Sequence, residues 1–199
     1  MTGTDDLTIQ KLRTHAVREV YREYLRKDFP PDERRPLWHI MSLRRRRQYL
    51  CYGAFCAGRL VGYAFFVLPA PEGKHCCLFD YFAVLPELRG RGIGSGFLTQ
   101  LKEKMRHMEL VLTEVEDPNR ERNPAKRSVM ERRLSFYFAN GLRDTGVRVE
   151  TFGVPYRILA VPLSSKKPAV TQEEARSAYA ALYRVLTTKG MFRRHIRFV

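Results

Sequence analysis

Hydrophobic side chains recur along this chain in blocks, and the spacing within each block is typical of either a helix or a strand. The opening block, Leu7–Lys27, has apolar residues at helical spacing, and Pro30-Pro31 follows soon after it. Because proline cannot continue a helix and restricts the residue before it, the helix should end there. A second, short helix is predicted over Arg35–Arg47.

Strands are predicted next. Tyr49–Ala57 and Leu60–Leu68 flank Gly58-Arg59, which is typical of a hairpin turn. Pro69–Lys74 is predicted to be a loop. His75–Val84 is almost entirely apolar, so we expect a central strand that is buried on both faces.

Helices and strands alternate through the second half of the chain. Thr171 and Glu174 have the spacing of a capping box, which predicts a last helix through about Thr188. The fold class is therefore α/β (α+β), a mixed central sheet of about six to seven strands with helices on both faces. The other predicted elements are a helix with Ile93, Phe97, Leu98, Leu101 and Met105 inward, strand Leu110–Val115, polar loop Asp117–Lys126, helix Ser128–Asn140, strands Arg148–Phe152 and Arg157–Val161, linker Leu163–Pro168 and a basic aromatic tail, Phe192–Val199.

Composition narrows the class of protein. With 199 residues and a hydrophobic share of 44%, the chain can form one domain with a real core, or one domain plus an appendage. No apolar run approaches the roughly 18–20 residues that a membrane span needs. Met1–Asp6 is polar and acidic, unlike a secretory signal, so we expect a cytoplasmic protein without a membrane partner.

The cysteine pattern does not favour a metal site. Cys76 and Cys77 are adjacent, whereas a zinc site needs paired ligands separated by spacers. Cys51 and Cys56 lie in a predicted strand. We expect all of them to be buried, reduced thiols, and no metal is predicted.

The net charge of +15 attracts polyanions. A nucleic acid, a cofactor with several phosphates and a solvated basic face are all compatible with it. The chain has no helix-turn-helix, zinc-finger or RNP signature, so a nucleic-acid partner is not favoured.

The strongest local signal is a glycine-rich segment between a buried strand and an amphipathic helix. Glycines alternate at positions 90, 92, 94 and 96, with Arg89 and Arg91 among them. Glycine lets a backbone approach a ligand, and the following helix supplies N–H groups and the positive end of its dipole. This arrangement predicts a phosphate site.

Two common phosphate motifs do not fit the segment. A dinucleotide fingerprint needs glycine at its sixth position, where counting from Gly90 gives Ser95 and counting from Gly92 gives Phe97. A Walker A loop needs a glycine followed by lysine, which is missing here. NAD and nucleoside triphosphates are both disfavoured.

Arg89-x-x-Gly92-x-Gly94, following Ala83-Val84-x-Pro86, resembles the pyrophosphate motif of the GNAT superfamily of acyl-CoA N-acyltransferases. Downstream, Phe136-Tyr137-Phe138-Ala139-Asn140-Gly141-Leu142 is similar to the family's F-Y-x-x-x-G-F helix ending. The resemblance covers roughly residues 12–162, so we expect an acetyltransferase domain over 1–162. Residues 163–199 should form a C-terminal helical extension that packs on the same domain.

The resemblance implies acetyl-CoA as co-substrate and assigns its contacts. The backbone of Phe82, Ala83 and Val84 should bind the pantetheine arm like an added strand, where the fourth and fifth strands splay apart. The amides that should hold the pyrophosphate are those of Arg89, Gly90, Arg91, Gly92, Ile93, Gly94 and Ser95.

Tyr137 matches the family's frequent general acid. When an amine attacks a thioester a thiolate must leave, and a phenol within hydrogen-bond reach can protonate it. The alternative is a core aromatic residue between Phe136 and Phe138.

The sequence offers several candidates for the base that accepts the proton of the attacking amine. Asp80 lies in an otherwise apolar strand, and a carboxylate there is costly unless it is used or paired. Glu114 and Glu116, on one face of the next strand, are rivals. The alternative for each is a salt bridge to an arginine. The family's usual asparagine before the tyrosine has no clear counterpart, because Asn119 and Asn123 lie too far upstream.

The preferred function is therefore N-acetylation of a primary amine on a small molecule or protein, by a monomer or homodimer. The N-terminal helices over Val17–Arg47 should form part of the acceptor site. The arginine run Arg44–Arg47 favours an acceptor that carries phosphate or carboxylate over a polyamine. The alternatives are a basic nucleic-acid or ribosome-associated binding protein without turnover, and a coenzyme A sensor without a base.

Overall fold

The computed structural model of the chain describes residues 6–69, 76–163 and 169–199, apart from the side chain of Asp32. Residues 70–74 of the predicted loop, the first residue of the predicted strand His75–Val84, and residues 164–168 of the predicted linker lie outside this described part. Within it, no helix combines the length and the apolar character that crossing a membrane requires.

Between Thr14 and Leu186 the helices and strands follow the predicted order, and further elements are present near both ends. The strands are β1 (Thr8–Lys11), β2 (Tyr49–Cys56), β3 (Arg59–Val67), β4 (Cys76–Val84), β5 (Leu110–Glu116), β6 (Arg143–Thr151), β7 (Val154–Pro162) and β8 (Ile196–Phe198). The α-helices are α1 (Thr14–Val20), α2 (Arg26–Asp28), α3 (Leu37–Arg45), α4 (Ile93–Lys104), α5 (Pro124–Ala139), α6 (Gln172–Leu186) and α7 (Lys189–His195).

The predicted α/β class with a mixed sheet is confirmed, but the described residues form eight strands instead of six to seven. Strands β4 and β5 are parallel, whereas β1–β2, β2–β3, β5–β7, β6–β7 and β6–β8 pair antiparallel. The additional strands are β1 and β8. Both are too short for hydrophobic alternation to reveal them, and each is defined by pairing with a strand that is distant in sequence.

The chain divides into two compact units. The first unit is Met1–Leu68 with Asp80–Lys104. Its strands are ordered β1-β2-β3-β4, and the predicted hairpin joins β2 to β3. Ala57 and Gly58 form the turn with positive φ angles of 47° and 75°. The predicted buried stripe of α4 is confirmed, because Phe97, Leu98 and Leu101 are at most 1% exposed.

The second unit is Pro69–Phe79 with Met105–Val199. Its strands are ordered β4-β5-β7-β6-β8, so β4 contributes its first four residues here and its remainder to the first unit. The parallel register runs from Cys76↔Leu110 to Phe79↔Thr113. Helix α5 contacts β5, and α6 contacts β6.

One predicted helix was wrong at its start. Leu7–Lys27 was expected to be a single helix, but Thr8–Lys11 is a strand that pairs with β2 over Thr8↔Phe55 to Lys11↔Tyr52. Ile9 is the buried residue of this strand. The helical part begins at Thr14 and passes through a π-helical segment, Tyr21–Leu25, before α2.

The C-terminal segment is more ordered than a tail. The Thr171–Glu174 capping box is confirmed: Thr171 Oγ1 accepts from the Glu174 N–H at 3.2 Å, and Glu174 Oε2 accepts from the Thr171 N–H at 3.0 Å. Helix α7 and strand β8 follow, and β8 pairs with β6 through Thr151↔Ile196 and Val149↔Phe198. The four cysteines are free and buried, as predicted.

Candidate functional site

The predicted phosphate segment forms a tight loop in the first unit. After β4 a 3₁₀ turn covers Pro86–Leu88, and Gly90 and Gly92 then have φ angles of 77° and 78°, a backbone conformation that favours glycine. Helix α4 begins at Ile93, and the Gly96 N–H donates to the Gly92 carbonyl at 3.0 Å. The N–H groups of residues 92–95 therefore lie at the N-terminal end of the helix, before its first N–H···O=C bond, and have no carbonyl partner within it. Such a helix end can bind an anion.

The three residues predicted to bind pantetheine do not all point their backbone N–H and C=O groups toward the same edge of β4. The Leu85 N–H donates to the Val61 carbonyl on β3 at 3.0 Å, and a Cβ on Gly62 would lie 2.7 Å from the Ala83 carbonyl oxygen. Ala83 and Leu85 therefore direct their polar groups toward β3. Because directions alternate along a strand, Phe82 and Val84 direct theirs toward the other edge of β4.

Arg89 lies between this strand and the glycine loop. Its Nε–H donates to the Val84 carbonyl at 2.9 Å, and its Nη2 is 3.4 Å from Asp28 Oδ1. The Arg89 side chain is 57% exposed, whereas that of Asp28 is 8% exposed. Arg91 is exposed at the same loop.

Tyr137 is the one buried side chain of α5 and is 6% exposed. Burial raises the pKa of Tyr137, while a hydrogen bond with Thr113 and the positive charge of Arg133 oppose that rise. The phenol is therefore protonated at neutral pH and can donate a proton. Asn123 caps the start of α5 by accepting from the N–H groups of Ala125 and Lys126 at 3.0 and 3.3 Å.

Asp80 on β4 is held by charged and neutral donors of the first unit. Arg35 Nε lies 2.8 Å from both carboxylate oxygens, and the Tyr49 hydroxyl also donates to Asp80. The side chains of Arg35 and Asp80 are 16% and 5% exposed. The neighbouring Tyr81 hydroxyl accepts from the Arg35 N–H at 2.7 Å and donates to the Glu33 carbonyl at 3.0 Å.

Glu114 on β5 is held by two tyrosines of α6, in the second unit. The Tyr179 hydroxyl donates to Glu114 Oε1 at 2.5 Å, and Tyr183 lies 2.8 and 2.9 Å from the two carboxylate oxygens. The tyrosine rings stack with centroids 4.6 Å apart, and the Tyr179 hydroxyl is 2.7 Å from the Thr151 hydroxyl. Burial raises the pKa of Tyr179, and the charge of Glu114 raises it further. Tyr179 therefore remains a neutral donor.

Two other predicted residues have structural partners. Glu116 forms an ion pair with Arg133 at 2.7 Å. Asn119 lies in a 3₁₀ turn, where its N–H donates to the Asp117 carboxylate at 3.2 Å. Asp117 also accepts from Arg157 at 2.7 Å, which fixes the loop before α5 to β7.

Among the described residues, no group of three or more histidine, cysteine, aspartate or glutamate side chains could hold a metal ion.

Sequence reasoning missed Arg35, Tyr49, Tyr179 and Tyr183 as partners of these carboxylates. Tyr179 and Tyr183 are four residues apart, on the buried face of α6 that also carries Leu182. Treating tyrosine as a member of that stripe would have placed both hydroxyls inward. Nothing in the local pattern around Arg35 indicates its ion pair, because Asp80 is 45 residues away in sequence.

The comparisons with known proteins agree with the motif. A family model described as the acetyltransferase (GNAT) family matches residues 14–125. A sequence search of curated proteins finds no match.

Solved structures share the fold at low sequence identity. The ribosomal-protein-S18-alanine N-acetyltransferase of Escherichia coli is 17% identical, with a TM-score of 0.58 over 82% of this chain and 98% of that one. The spermidine N-acetyltransferase of Vibrio cholerae, in complex with CoA and spermine, is 12% identical, with a TM-score of 0.59 over 86% and 98%. A GNAT-family protein from Bacteroides thetaiotaomicron is 20% identical, with a TM-score of 0.66 over 91% and 97%.

Proposed function

This chain belongs to the GNAT family of acetyltransferases, and on that premise we propose that it transfers an acetyl group from acetyl-CoA to a primary amine. The observation that carries the proposal is the loop at Gly90 and Gly92, which both have positive φ and lead directly into α4. A diphosphate is bound by N–H donors, and the N–H groups of residues 92–95, which lack a carbonyl partner within the helix, support this proposal.

Coenzyme A would be bound in two parts by the first unit. The amides of residues 89–95 would hold the pyrophosphate, with the exposed Arg91 adding positive charge. The pantetheine arm would lie along the edge of β4 toward which Phe82 and Val84 direct their polar groups. The Ala83 carbonyl faces β3 instead, so Ala83 would not hydrogen-bond the arm through that group.

Two residues of the second unit would carry the proton transfers. Tyr137 would protonate the leaving thiolate, because it is protonated at neutral pH and hydrogen-bonds Thr113 on β5. Glu114, the next residue on β5, would accept the proton of the attacking amine, directly or through water.

Asp80 is the alternative base. Both of its carboxylate oxygens lie 2.8 Å from Arg35 in an ion pair that is largely shielded from water, so they are less available to an attacking amine. Glu116 is paired with the more exposed Arg133 and is a third candidate.

The acceptor would be an amine that also carries a phosphate or carboxylate group. Arg45, Arg46 and Arg47 are exposed at the end of α3, whereas the Arg44 guanidinium donates to the Leu12 carbonyl at 3.1 Å. A net charge of +15 repels a polyamine. A substrate panel that pairs each amine with an anionic analogue tests this, and faster turnover of polyamines would refute it.

The central test is calorimetric binding of acetyl-CoA and CoA to wild type and to two matched glycine variants. Gly90 and Gly58 have nearly equal φ angles, 77° and 75°, and a Cβ at either would have no neighbour within 4 Å. Gly90→Ala and Gly58→Ala should therefore cost similar stability through backbone strain. Only Gly90→Ala should weaken CoA binding, by roughly tenfold.

Two outcomes would count against the proposal. Absence of a binding signal from folded wild type with either ligand would overturn it. Steeply salt-dependent binding of RNA without thiol release would favour the nucleic-acid alternative, for which the net charge is the supporting observation.

A further inference from the structure

Arg89 is the residue before the glycine loop, and its guanidinium contacts Val84 at the end of β4 and Asp28 at the end of α2. Its Nε–H donates to the carbonyl of Val84, five residues earlier, at 2.9 Å. This bond closes the chain across the 3₁₀ turn Pro86–Leu88 and joins the end of β4 to the start of the loop. One side chain thereby connects the two backbone segments that are proposed to bind coenzyme A.

A buried carboxylate holds the other end of the guanidinium. Asp28, the last residue of α2, is 8% exposed and lies 3.4 Å from Arg89 Nη2. Its second oxygen accepts from the Tyr63 hydroxyl at 2.7 Å, and Tyr63 on β3 is fully buried. A carboxylate this shielded is stable only with such partners.

Tyr63 can act as a permanent donor. Burial raises the pKa of its hydroxyl, and the hydrogen bond to Asp28 raises it further. The Asp28 carboxylate is thus oriented by a neutral group from one side and faces Arg89 with its other oxygen.

We propose that Arg89 is a positioning residue that fastens the glycine loop to the end of β4, and that Asp28 and Tyr63 hold its guanidinium in place. The inference rests on the proposed coenzyme A site. It assigns Arg89 a different role from the one expected from sequence, where both loop arginines grip phosphate. Asp28 offsets the charge of Arg89, so the charge offered to the pyrophosphate comes from Arg91 and the loop amides.

The role of Arg89 can be separated from its charge by comparing Arg89→Lys with Arg91→Ala. Lysine keeps the positive charge but cannot present an Nε–H and an Nη2–H in the fork geometry of arginine. We expect Arg89→Lys to weaken CoA binding about tenfold in calorimetry, while the dependence of Kd on salt stays as in wild type. Arg91→Ala should weaken binding and flatten that dependence. Arg59→Lys, at the exposed start of β3, is the matched control and should bind like wild type.

Asp28 and Tyr63 are tested by Tyr63→Phe and Asp28→Asn. Each should weaken CoA severalfold in the folded protein, and combining either with Arg89→Lys should add little, because all three changes release the same contact. If Asp28→Asn does not fold, the milder Tyr63→Phe still provides the double-variant comparison.

The possible failures are distinguishable. If wild type itself does not bind CoA, the proposed function is wrong. If wild type binds and Arg89→Lys binds equally well, or if Arg89→Lys changes the salt dependence as Arg91→Ala does, the positioning role is wrong. Full additivity of Tyr63→Phe with Arg89→Lys would also overturn it.

Discussion

Asp80 and Glu114 are carboxylates on β4 and β5, and the two differ in the donors that hold them. Asp80 receives both oxygen contacts of Arg35 at 2.8 Å and a hydroxyl from Tyr49. Glu114 receives hydroxyls from Tyr179 and Tyr183 at 2.5–2.9 Å. The first set includes a permanent cation, whereas the second set consists of neutral phenols.

This difference in donors suits the two buried carboxylates to different roles, Asp80 to stabilising the fold and Glu114 to accepting a proton. Asp80 forms an ion pair with an arginine that is only 16% exposed, so Asp80 is suited to hold the segment before α3 against β4. Phenols orient a carboxylate and favour its ionised form without fixing a second charge beside it. Glu114 is therefore better suited to accept a proton during turnover.

The largest effect should come from Glu114→Gln. Removing a positioned proton acceptor should lower kcat by about 10²–10⁴-fold, while the Kd for CoA remains that of wild type. Thiol release with the acceptor identified by the substrate panel, together with calorimetry, measures both quantities. Glu116→Gln is the matched control, since Glu116 lies two residues along the same strand and pairs with Arg133. A larger loss of kcat in Glu116→Gln would transfer the role to that residue.

Asp80→Asn should instead appear as lost stability. It leaves the Arg35 guanidinium without its counter-charge in a shielded position, which should lower the free energy of unfolding by about 3–5 kcal/mol. Urea denaturation measures this change, and kcat should fall much less than in Glu114→Gln. A folded, stable Asp80→Asn protein with kcat reduced a hundredfold would contradict the structural assignment and restore Asp80 as the base.

Tyr49→Phe and Tyr183→Phe remove one hydroxyl from each carboxylate and should have smaller effects. Each should cost about 1–2 kcal/mol of unfolding free energy, because a buried acceptor loses one donor. Only Tyr183→Phe should also lower kcat. The Tyr183 hydroxyl orients both oxygens of Glu114, the proposed proton acceptor, whereas Tyr49 bonds the structural Asp80. A lower kcat in Tyr49→Phe and not in Tyr183→Phe would reverse the comparison.

The same contrast explains how much of the molecule could be predicted from its sequence. The hairpin at Gly58, the helix α4 and the capping box at Thr171 depend on residues within a few positions of one another, and all were predicted correctly. The glycine loop is local in the same sense: its two positive φ angles and the helix after it lie within one short segment. Its role in binding stays a prediction.

Features that depend on distant partners were missed. The donors of Asp80 come from 31 and 45 residues away, and those of Glu114 from 65 and 69. The apolar residues of β1 have helical spacing, so this segment was predicted to be a helix. It is a strand because pairing with β2 outweighs that local preference. The start of α5 was also predicted wrongly, although its signal is local. Asn123 is a favourable N-cap residue, and Pro124 after it is a favourable first helical residue.

The smallest expected effect of Asp80→Asn is a shift in the titration of His39, a residue of α3 that is influenced by the charges of Arg35 and Asp80. Burial and the charge of Arg35 lower the pKa of His39 below 6.5, and the charge of Asp80 partly raises it. The unfolded chain therefore binds the His39 proton more readily than the folded chain does. This contribution to stability is present above pH 6.5 and is lost as the pH falls below that value.

Trp38, the single tryptophan, provides the measurement because its ring stacks on His39 with centroids 5.4 Å apart. A protonated imidazole quenches indole fluorescence, so the emission of wild type should titrate with a midpoint below 6.5. Asp80→Asn removes the carboxylate that raises the pKa of His39, which should lower the midpoint further. Glu114→Gln should leave it unchanged, and His39→Gln should abolish the transition. A midpoint that responds to Glu114→Gln and not to Asp80→Asn would show that the two carboxylates do not have the separate surroundings that their different roles require.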